Sequence, residues 1–264
     1  MPPAPAEWDA SRYHQVARPH AAWGATLLDR LTLSGDEVVL DAGCGSGRVT
    51  AQLLERLPRG RVIAADHSPA MLAEARKTLA EWAPVQRVAF IEVDLLDIDR
   101  VLPERVDVIF STAVFHWIAD HQRLFEALHG VLRATGCLVA QCGGAGNLAH
   151  LMAAADVVAA RAPFARVLQG LDLWRHYYTP EATETRLHAA GFIRARAWLE
   201  PSPQHFADAA ALADFCRAVV LTSHVSALPE PLRDEFVDQV VIGIAGREGS
   251  FTLDYIRLNM EALA

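Results

Sequence analysis

The 264-residue sequence has no excess of basic residues and few cysteines. Its 24 Lys and Arg are outnumbered by 32 Asp and Glu, which gives a formal net charge of -8 at pH 7. Because the chain is anionic and has no basic tract, we expect it to bind neither nucleic acid nor an anionic membrane surface. The four cysteines form no C-x-x-C pair, so neither a disulfide framework nor a metal site is predicted. Reduced thiols favour a cytoplasmic location.

Long apolar runs and targeting segments are also missing. The Pro-rich residues 1–5 lack the basic region and apolar core of a signal peptide. The most apolar helical stretch, residues 151–160, is interrupted by Asp156 and is shorter than the roughly 20 residues that span a bilayer. We therefore expect no membrane insertion. The sequence contains no internal repeat and no low-complexity linker.

The most informative segment, residues 40–47, reads Leu-Asp-Ala-Gly-Cys-Gly-Ser-Gly. The apolar residues before it predict a buried parallel strand that leads into Asp41. Gly43, Gly45 and Gly47 allow the backbone to turn sharply and to approach a ligand closely. Residues 48–54 then have helical periodicity, so the pattern predicts a strand, a glycine-rich turn and a helix.

The spacing of these glycines differs from the G-x-G-x-x-G of dinucleotide sites, which makes a nicotinamide dehydrogenase the less favoured interpretation. A second predicted strand, residues 61–65, leads to Asp66, where a carboxylate can accept hydrogen bonds from both hydroxyls of a ribose. A third, residues 88–93, leads to Asp94, which could also be a helix N-cap.

This ordered set of motifs resembles the class I S-adenosylmethionine-dependent methyltransferases. The resemblance implies that the glycine loop passes under the methionine part of the cofactor, that Asp66 holds the ribose, and that Asp94 reaches the adenine amine. It also implies that Met71 is an apolar wall for adenine and that S-adenosylhomocysteine is the product. The complete set of expected cofactor residues is Asp41, Gly43, Cys44, Gly45, Gly47, Asp66, His67, Met71, Asp94, Leu95 and Ser111.

The fold class that we expect is α/β, a doubly wound seven-stranded sheet of the Rossmann-like methyltransferase type with a helical lid. A fourth strand at 106–110, a helix at 120–132 and a fifth strand at 137–141, after a turn at Thr135-Gly136, continue the alternation. Late strands at 192–199 and near 251–258 are predicted as an antiparallel addition, with helices at 147–161, 180–190, 206–226 and 229–245. The expected domains are an N-terminal helical segment covering the active site (1–33), a cofactor-binding core (34–146) and the lid with the last strands (147–264).

The residues after the fourth strand bear on the acceptor. Ser-Thr-Ala-Val at 111–114 differs from the Asn/Asp-Pro-Pro-aromatic motif of nucleic-acid amino methyltransferases. The segment 115–120, together with the aromatic stretch 174–178 and N-terminal residues, resembles the trans-aconitate 2-methyltransferase group and similar small-molecule carboxyl methyltransferases. This implies O-methylation of a carboxylate on a small acceptor. O-, N- or C-methylation of a phenol, an amine or another metabolite stays open, as does a non-catalytic or lyase-like cofactor-binding protein.

A carboxylate is ionised at pH 7 and needs alignment rather than a general base, whereas a phenol or alcohol would need one. His116 is the first candidate for such a base. The candidate catalytic residues are His116, Trp117, His20 and Tyr13. The candidate substrate contacts are Arg18, Trp117, Arg175, Tyr177 and Tyr178. For each of these side chains the alternative is an ordinary role in the core or on the surface. Nothing in the sequence indicates the oligomeric state.

Overall fold

A seven-stranded sheet organises the chain in the computed structural model, which describes residues 18–248 and 251–264. The strand order is β3-β2-β1-β4-β5-β9-β6. Strands β1 to β5 pair in parallel, and β9 is antiparallel to β5. The seven strands are β1 (Val38–Ala42), β2 (Arg61–Asp66), β3 (Val88–Glu92), β4 (Val106–Thr112), β5 (Leu132–Gly143), β6 (Arg194–Pro201) and β9 (Ile256–Leu263). The expected fold class, including the antiparallel late strand, is confirmed.

Helices connect the parallel strands in the predicted alternation. Two helices begin at a side-chain cap followed by a proline: Ser68 accepts from the N–H of Met71 ahead of Pro69, and Thr179 accepts from the N–H of Ala182 ahead of Pro180. The α-helices with the sheet are Arg18–Leu28, Arg48–Arg56, Pro69–Thr78, Ile98–Val101, His121–Val131 and Pro180–Ala189, with 3-10 turns at Leu95–Asp97 and Phe115–Trp117. The remaining α-helices are Ala149–Ala159, Ala165–Leu168, Ala209–Phe215, Thr222–Ala227 and Glu230–Glu248.

The sheet is covered on both faces. Successive residues of β1 enter different buried clusters, Val39 one and Leu40 the other, and in β2 Val62 and Ile63 divide in the same way. Since side chains alternate across a strand, these clusters lie on opposite faces. A doubly wound sheet of this kind presents the carboxyl ends of its parallel strands at one edge, where ligands bind.

Two local predictions are wrong. Thr135-Gly136 is not a turn before the fifth strand but part of β5, which starts at Leu132. The register shifts between Val106 and Val108, so an irregularity absorbs the extra residues of β5 within an extended strand. The segment 206–226 is not one helical run either. A π-helix, Cys216–Val220, lies between Ala209–Phe215 and Thr222–Ala227.

The described chain divides into two compact units, and the expected domain division stays a prediction. The sheet unit comprises Arg18–Ala145, His176–Glu200 and Arg257–Ala264, and the helical unit contains Gly146–Arg175 and Pro201–Ile256. The helix Arg18–Leu28 therefore belongs with the sheet, and the segment between residues 147 and 264 belongs partly to each unit. Within the helical unit β7 (Gln204–His205) pairs with β8 (Thr252–Leu253). Among the described helices, none is both long and apolar enough to cross a bilayer.

Candidate active site

The glycine loop follows β1 at the ligand edge of the sheet. Its start is fixed to the end of β2, because the main-chain N–H groups of Gly43 and Cys44 both donate to the carbonyl of Ala65, at 2.8 and 2.9 Å. Gly47 then leads into the helix Arg48–Arg56. The predicted strand, turn and helix are all present.

Two glycines of the loop have opposite surroundings. A Cβ placed on Gly43 would lie 2.2 Å from Cγ2 of Val114, so only glycine fits there. A Cβ placed on Gly45 would meet nothing within 4 Å, and φ of Gly45 is +53°. Position 43 therefore serves internal packing, and position 45 exposes bare backbone to open space.

Asp66 ends β2 beside this open backbone. Its Oδ2 accepts from the N–H of Gly45 and its Oδ1 from the N–H of Ser68, each at 2.9 Å. A carboxylate oxygen has two lone pairs, so each oxygen can accept a further hydrogen bond. The side chain of Asp66 is buried, which is uncommon for an aspartate.

Asp41 lies deeper, within β1. Its Oδ2 accepts from the hydroxyl of Thr50 at 2.6 Å. Burial raises the pKa of Asp41 to about 7, the Thr50 bond acts against this rise, and the charge of Asp66 adds to it. Thr50 was missed in the sequence; its signal is its place on the first turn of the helix that follows the glycine loop.

The other expected cofactor residues differ in exposure. Cys44, Met71 and Leu95 are buried, and burial raises the pKa of the Cys44 thiol. His67 is exposed, with its Nδ1 3.6 Å from Oδ1 of Asp66. Asp94 caps the 3-10 turn through the N–H of Leu96 at 2.9 Å. Ser111 is buried within β4, and its hydroxyl donates to the carbonyl of Ala42 at 2.6 Å. The Ser111 hydroxyl thus joins β4 to β1.

The turn after β4 carries His116. Ala113 has a φ of +61°, which is unusual for a non-glycine residue, and its N–H donates to the carbonyl of Gln141 at 2.7 Å. Such strained backbone at the end of a strand is found at functional sites. Val114 packs against Gly43, so this turn is in contact with the glycine loop.

His116 is buried, and its protonation is defined by a main-chain partner. The N–H of Gly143, at the end of β5, donates to Nδ1 of His116 at 3.1 Å. Since a main-chain N–H can only donate, Nδ1 is the acceptor and the proton of the neutral ring is on Nε2. Sequence reasoning missed Gly143, and no local pattern links it to a histidine 27 residues earlier.

Aromatic side chains surround His116. Its ring centroid is 5.6 Å from that of Trp117 and 6.0 Å from that of Tyr177. Trp117 is partly exposed, with 38% of its surface accessible. The structure thus brings together three of the residues expected at the acceptor. Tyr178 is also an expected substrate contact of the sheet unit. Its hydroxyl donates to the carbonyl of Ala119 at 2.7 Å.

The remaining candidates are Arg175, Arg18, His20 and Tyr13. Arg175 is buried in the helical unit, where its Nη1 and Nη2 donate to the carbonyls of Val220 and Val219 at 2.7 and 2.8 Å. These bonds cap the π-helix. Arg18 and His20 are on the helix Arg18–Leu28, but their side chains lie outside the described residues, as does all of Tyr13. Their expected roles stay predictions.

Comparison with known proteins identifies the family. Residues 39–136 match a family model described as a methyltransferase domain. The trans-aconitate 2-methyltransferase of Methylobacterium radiotolerans is 32% identical over 248 residues, which cover 91% of this chain and 90% of that protein. The chain belongs to the class I S-adenosylmethionine-dependent methyltransferases, in the trans-aconitate 2-methyltransferase group. The protein of that name from Variovorax paradoxus is 29% identical, with 88% of this chain and 86% of the relative covered.

Solved structures share the fold of this methyltransferase. The Haemonchus contortus phosphoethanolamine N-methyltransferase 2, in complex with phosphomonomethylethanolamine and S-adenosylhomocysteine, has a TM-score of 0.58 at 18% identity and covers 97% of this chain and 56% of its own. The [4+2]-cyclase SpnF has a TM-score of 0.55 at 18% identity, with 92% and 80% covered. At these identities the likeness is one of fold.

S-adenosylmethionine is the cofactor of this enzyme family, and the loop fits it. Two observations support this fit. The backbone at Gly45 borders open space, and its N–H donates a hydrogen bond to the Asp66 carboxylate. A side chain at position 45 would fill this cradle, while a carboxylate beside it suits the hydroxyls of a ribose.

Proposed function

We propose that this methyltransferase methylates a carboxylate oxygen of a small organic acid. The observation that carries the proposal is the hydrogen bond from the N–H of Gly143 to Nδ1 of His116. It makes the ring of His116 a donor through Nε2. A donor suits an acceptor that is already anionic, because it orients the oxygen without removing a proton.

The same bond argues against a phenol or an alcohol as the acceptor. A general base needs a lone pair on the nitrogen that takes the proton. If Nε2 of His116 were that base, the ring proton would be on Nδ1, where it would oppose the N–H of Gly143. A doubly protonated His116 ring would also carry a proton on Nδ1 that faces the N–H of Gly143. His116 is therefore assigned to positioning of the acceptor, with Trp117 and Tyr177 as the adjacent apolar surface.

For the cofactor, we assign Gly45 to the methionine portion and Asp66 to the ribose. S-adenosylmethionine, when bound, supplies a methyl group activated by a sulfonium. Asp41 lies beneath the loop with its pKa near neutrality, and we assign it to holding the loop through Thr50. We also propose that Asp94, which caps the 3-10 turn, contacts the adenine.

The names of the relatives support the choice of a carboxylate, since trans-aconitate itself carries carboxylates. A function without methyl transfer is the alternative, because a [4+2]-cyclase shares the fold. No described side chain favours that alternative.

The test is incubation with S-adenosylmethionine labelled in its methyl group, together with trans-aconitate, other small di- and tricarboxylic acids, phenols and amines. We expect labelled product from acids alone. Mild alkali should release the label as methanol, since methyl esters are cleaved while aryl ethers and methylamines resist. Gly45→Val serves as the control that lacks cofactor binding. Alkali-stable product from a phenol or an amine would reject the carboxylate assignment, and no labelled product from any acceptor would favour the alternative.

A further inference from the structure

Three main-chain carbonyls of the turn that carries His116 accept hydrogen bonds from later residues. The N–H of His176 donates to the carbonyl of His116 at 2.8 Å. The Nε2 of His121 lies 2.9 Å from the carbonyl of Phe115. The hydroxyl of Tyr178 donates to the carbonyl of Ala119 at 2.7 Å. The segment from Phe115 to Ala119 is thus fixed at its beginning, middle and end by residues of the sheet unit.

Tyr178 is itself fixed on three sides. Its carbonyl accepts from the N–H of Ala145 at 3.0 Å, just beyond the end of β5. Its ring centroid is 4.4 Å from that of His121, and the guanidinium of Arg186 lies 4.2 Å from its ring. A cation above a tyrosine ring and a second ring beside it restrict the rotation of the side chain. The hydroxyl of Tyr178 therefore has a defined direction.

His121 supplies the second support. Its ring is buried among Phe115, Phe125 and Tyr178. Burial lowers the pKa of His121 to about 4, so the ring is neutral near pH 7. Because the carbonyl of Phe115 can only accept, the single ring proton is on Nε2. This bond is therefore present throughout the neutral pH range.

We propose that Tyr178 is a positioning residue, whose hydroxyl and ring hold the segment from Phe115 to Ala119 so that Nδ1 of His116 meets the N–H of Gly143. Its part in the reaction rests on the proposed function. Tyr178 was expected to contact the substrate, and this inference places its effect one step away. It acts on the acceptor through the orientation and the tautomer of His116.

The main test variant is Tyr178→Phe. It keeps the ring between His121 and Arg186 and removes only the bond to Ala119. The matched control is Thr185→Val, which removes a bond of the same kind, from a hydroxyl to the carbonyl of Glu181 at 2.8 Å, on the exposed side of the helix Pro180–Ala189. Tyr178→Leu, which also removes the ring contacts, gives the larger perturbation.

Two readouts are compared. In nitrogen-15 NMR of the histidine side chains, the wild type should show His116 protonated at Nε2 and unprotonated at Nδ1. Tyr178→Phe should shift this pattern towards a mixture of tautomers, and Tyr178→Leu should shift it further. With trans-aconitate as acceptor, kcat should fall about fivefold in Tyr178→Phe, as expected for one lost hydrogen bond, while KM for S-adenosylmethionine stays the same. Thr185→Val should change neither readout.

The NMR readout needs no acceptor, so it separates the two proposals. If Tyr178→Phe changes the His116 pattern but no acid is methylated by the wild type, the support by Tyr178 stands and the proposed function fails. An unchanged His116 pattern in both Tyr178 variants overturns the inference, whatever the activity. A fall in kcat equal to that of Thr185→Val overturns it as well.

Discussion

The main-chain N–H of Gly45 donates to Oδ2 of Asp66 at 2.9 Å, across 21 residues of sequence. This bond joins the glycine loop after β1 to the carboxylate at the end of β2. The bare backbone at position 45 and the acid thus form one local structure, and changes at either residue are expected to affect cofactor binding.

Asp66→Ala should weaken binding of S-adenosylmethionine by about 10- to 100-fold, because hydrogen bonds to a charged acceptor are worth roughly 1.5–3 kcal/mol. Isothermal titration calorimetry with S-adenosylhomocysteine measures the change. Asp97→Ala, which removes an exposed carboxylate paired with Arg100, is the control and should bind normally. Equal affinities in the two variants would refute the ribose assignment.

Alanine at the two loop glycines should separate stability from binding. Gly43→Ala should lower the free energy of unfolding by about 2 kcal/mol or more, since its Cβ would overlap Val114. Gly45→Ala should lower it by only about 1 kcal/mol, the cost of the positive φ, but should prevent tight cofactor binding. Urea unfolding and calorimetry on both proteins test this contrast. The reverse order of effects would show that the open space at Gly45 is unrelated to the cofactor.

His116→Gln should retain a side-chain donor and lose the ring. We expect kcat to fall about tenfold, with a pH profile parallel to that of the wild type between pH 7 and 9. His116→Ala should lose more activity and also show no recovery at high pH. Steady-state rates with a carboxylic acid acceptor provide the measurement. Recovery of the His116→Ala rate as pH rises would identify His116 as a general base.

Asp41 should make the stability of the cofactor-free protein depend on pH. Its pKa is about 7 in the folded protein and has an ordinary value of 3.8. Between these values the folded state binds more protons than the unfolded state, so stability falls as pH rises, by up to about 1.4 kcal/mol per pH unit. Asp41→Asn keeps an acceptor for Thr50 but cannot ionise. In urea unfolding, the free energy of unfolding of Asp41→Asn relative to the wild type should increase from pH 4 to pH 7 and then level off. A difference that does not change with pH would contradict the raised pKa of Asp41.

Arg175→Lys tests whether this arginine caps the π-helix or binds substrate. A lysine cannot donate to the carbonyls of Val219 and Val220 in the planar geometry of a guanidinium. We expect a loss of about 2 kcal/mol in the free energy of unfolding and an unchanged KM for the acceptor. An increase in KM without loss of stability would support the predicted substrate contact instead.

The strand, the glycine turn and the helix that follow one another at residues 38–56 could be predicted from the sequence because their signals are local. Asp41 and Asp66 stand at or near the ends of apolar strands, and parallel strands bring such positions to one edge. The helix expected at 180–190 begins as predicted, since a proline is favoured at the first helical position. The irregular start of β5 could not be predicted from the sequence, because it is set by pairing with β4 rather than by the residues of β5 itself.

The residues expected at the acceptor stay predictions, and the sequence did not reveal their hydrogen-bond partners. His116, Trp117 and Tyr177 were named from the sequence, but the partners that define them come from distant segments. Gly143 fixes the tautomer of His116 from the end of β5, and such a pairing appears only when the strands are assembled. Tyr178 and Arg175 were both expected to contact the substrate, but in the structure each donates to a main-chain carbonyl of a distant segment, which no local pattern predicts.

The side chain of Val114 occupies the volume that any side chain at position 43 would need. The glycine loop and the turn after β4 therefore constrain each other's side chains. Val114→Ala would leave a cavity next to Gly43, and Val114→Ile would displace the glycine loop. Any redesign of the turn after β4 must consequently preserve the size of this one residue.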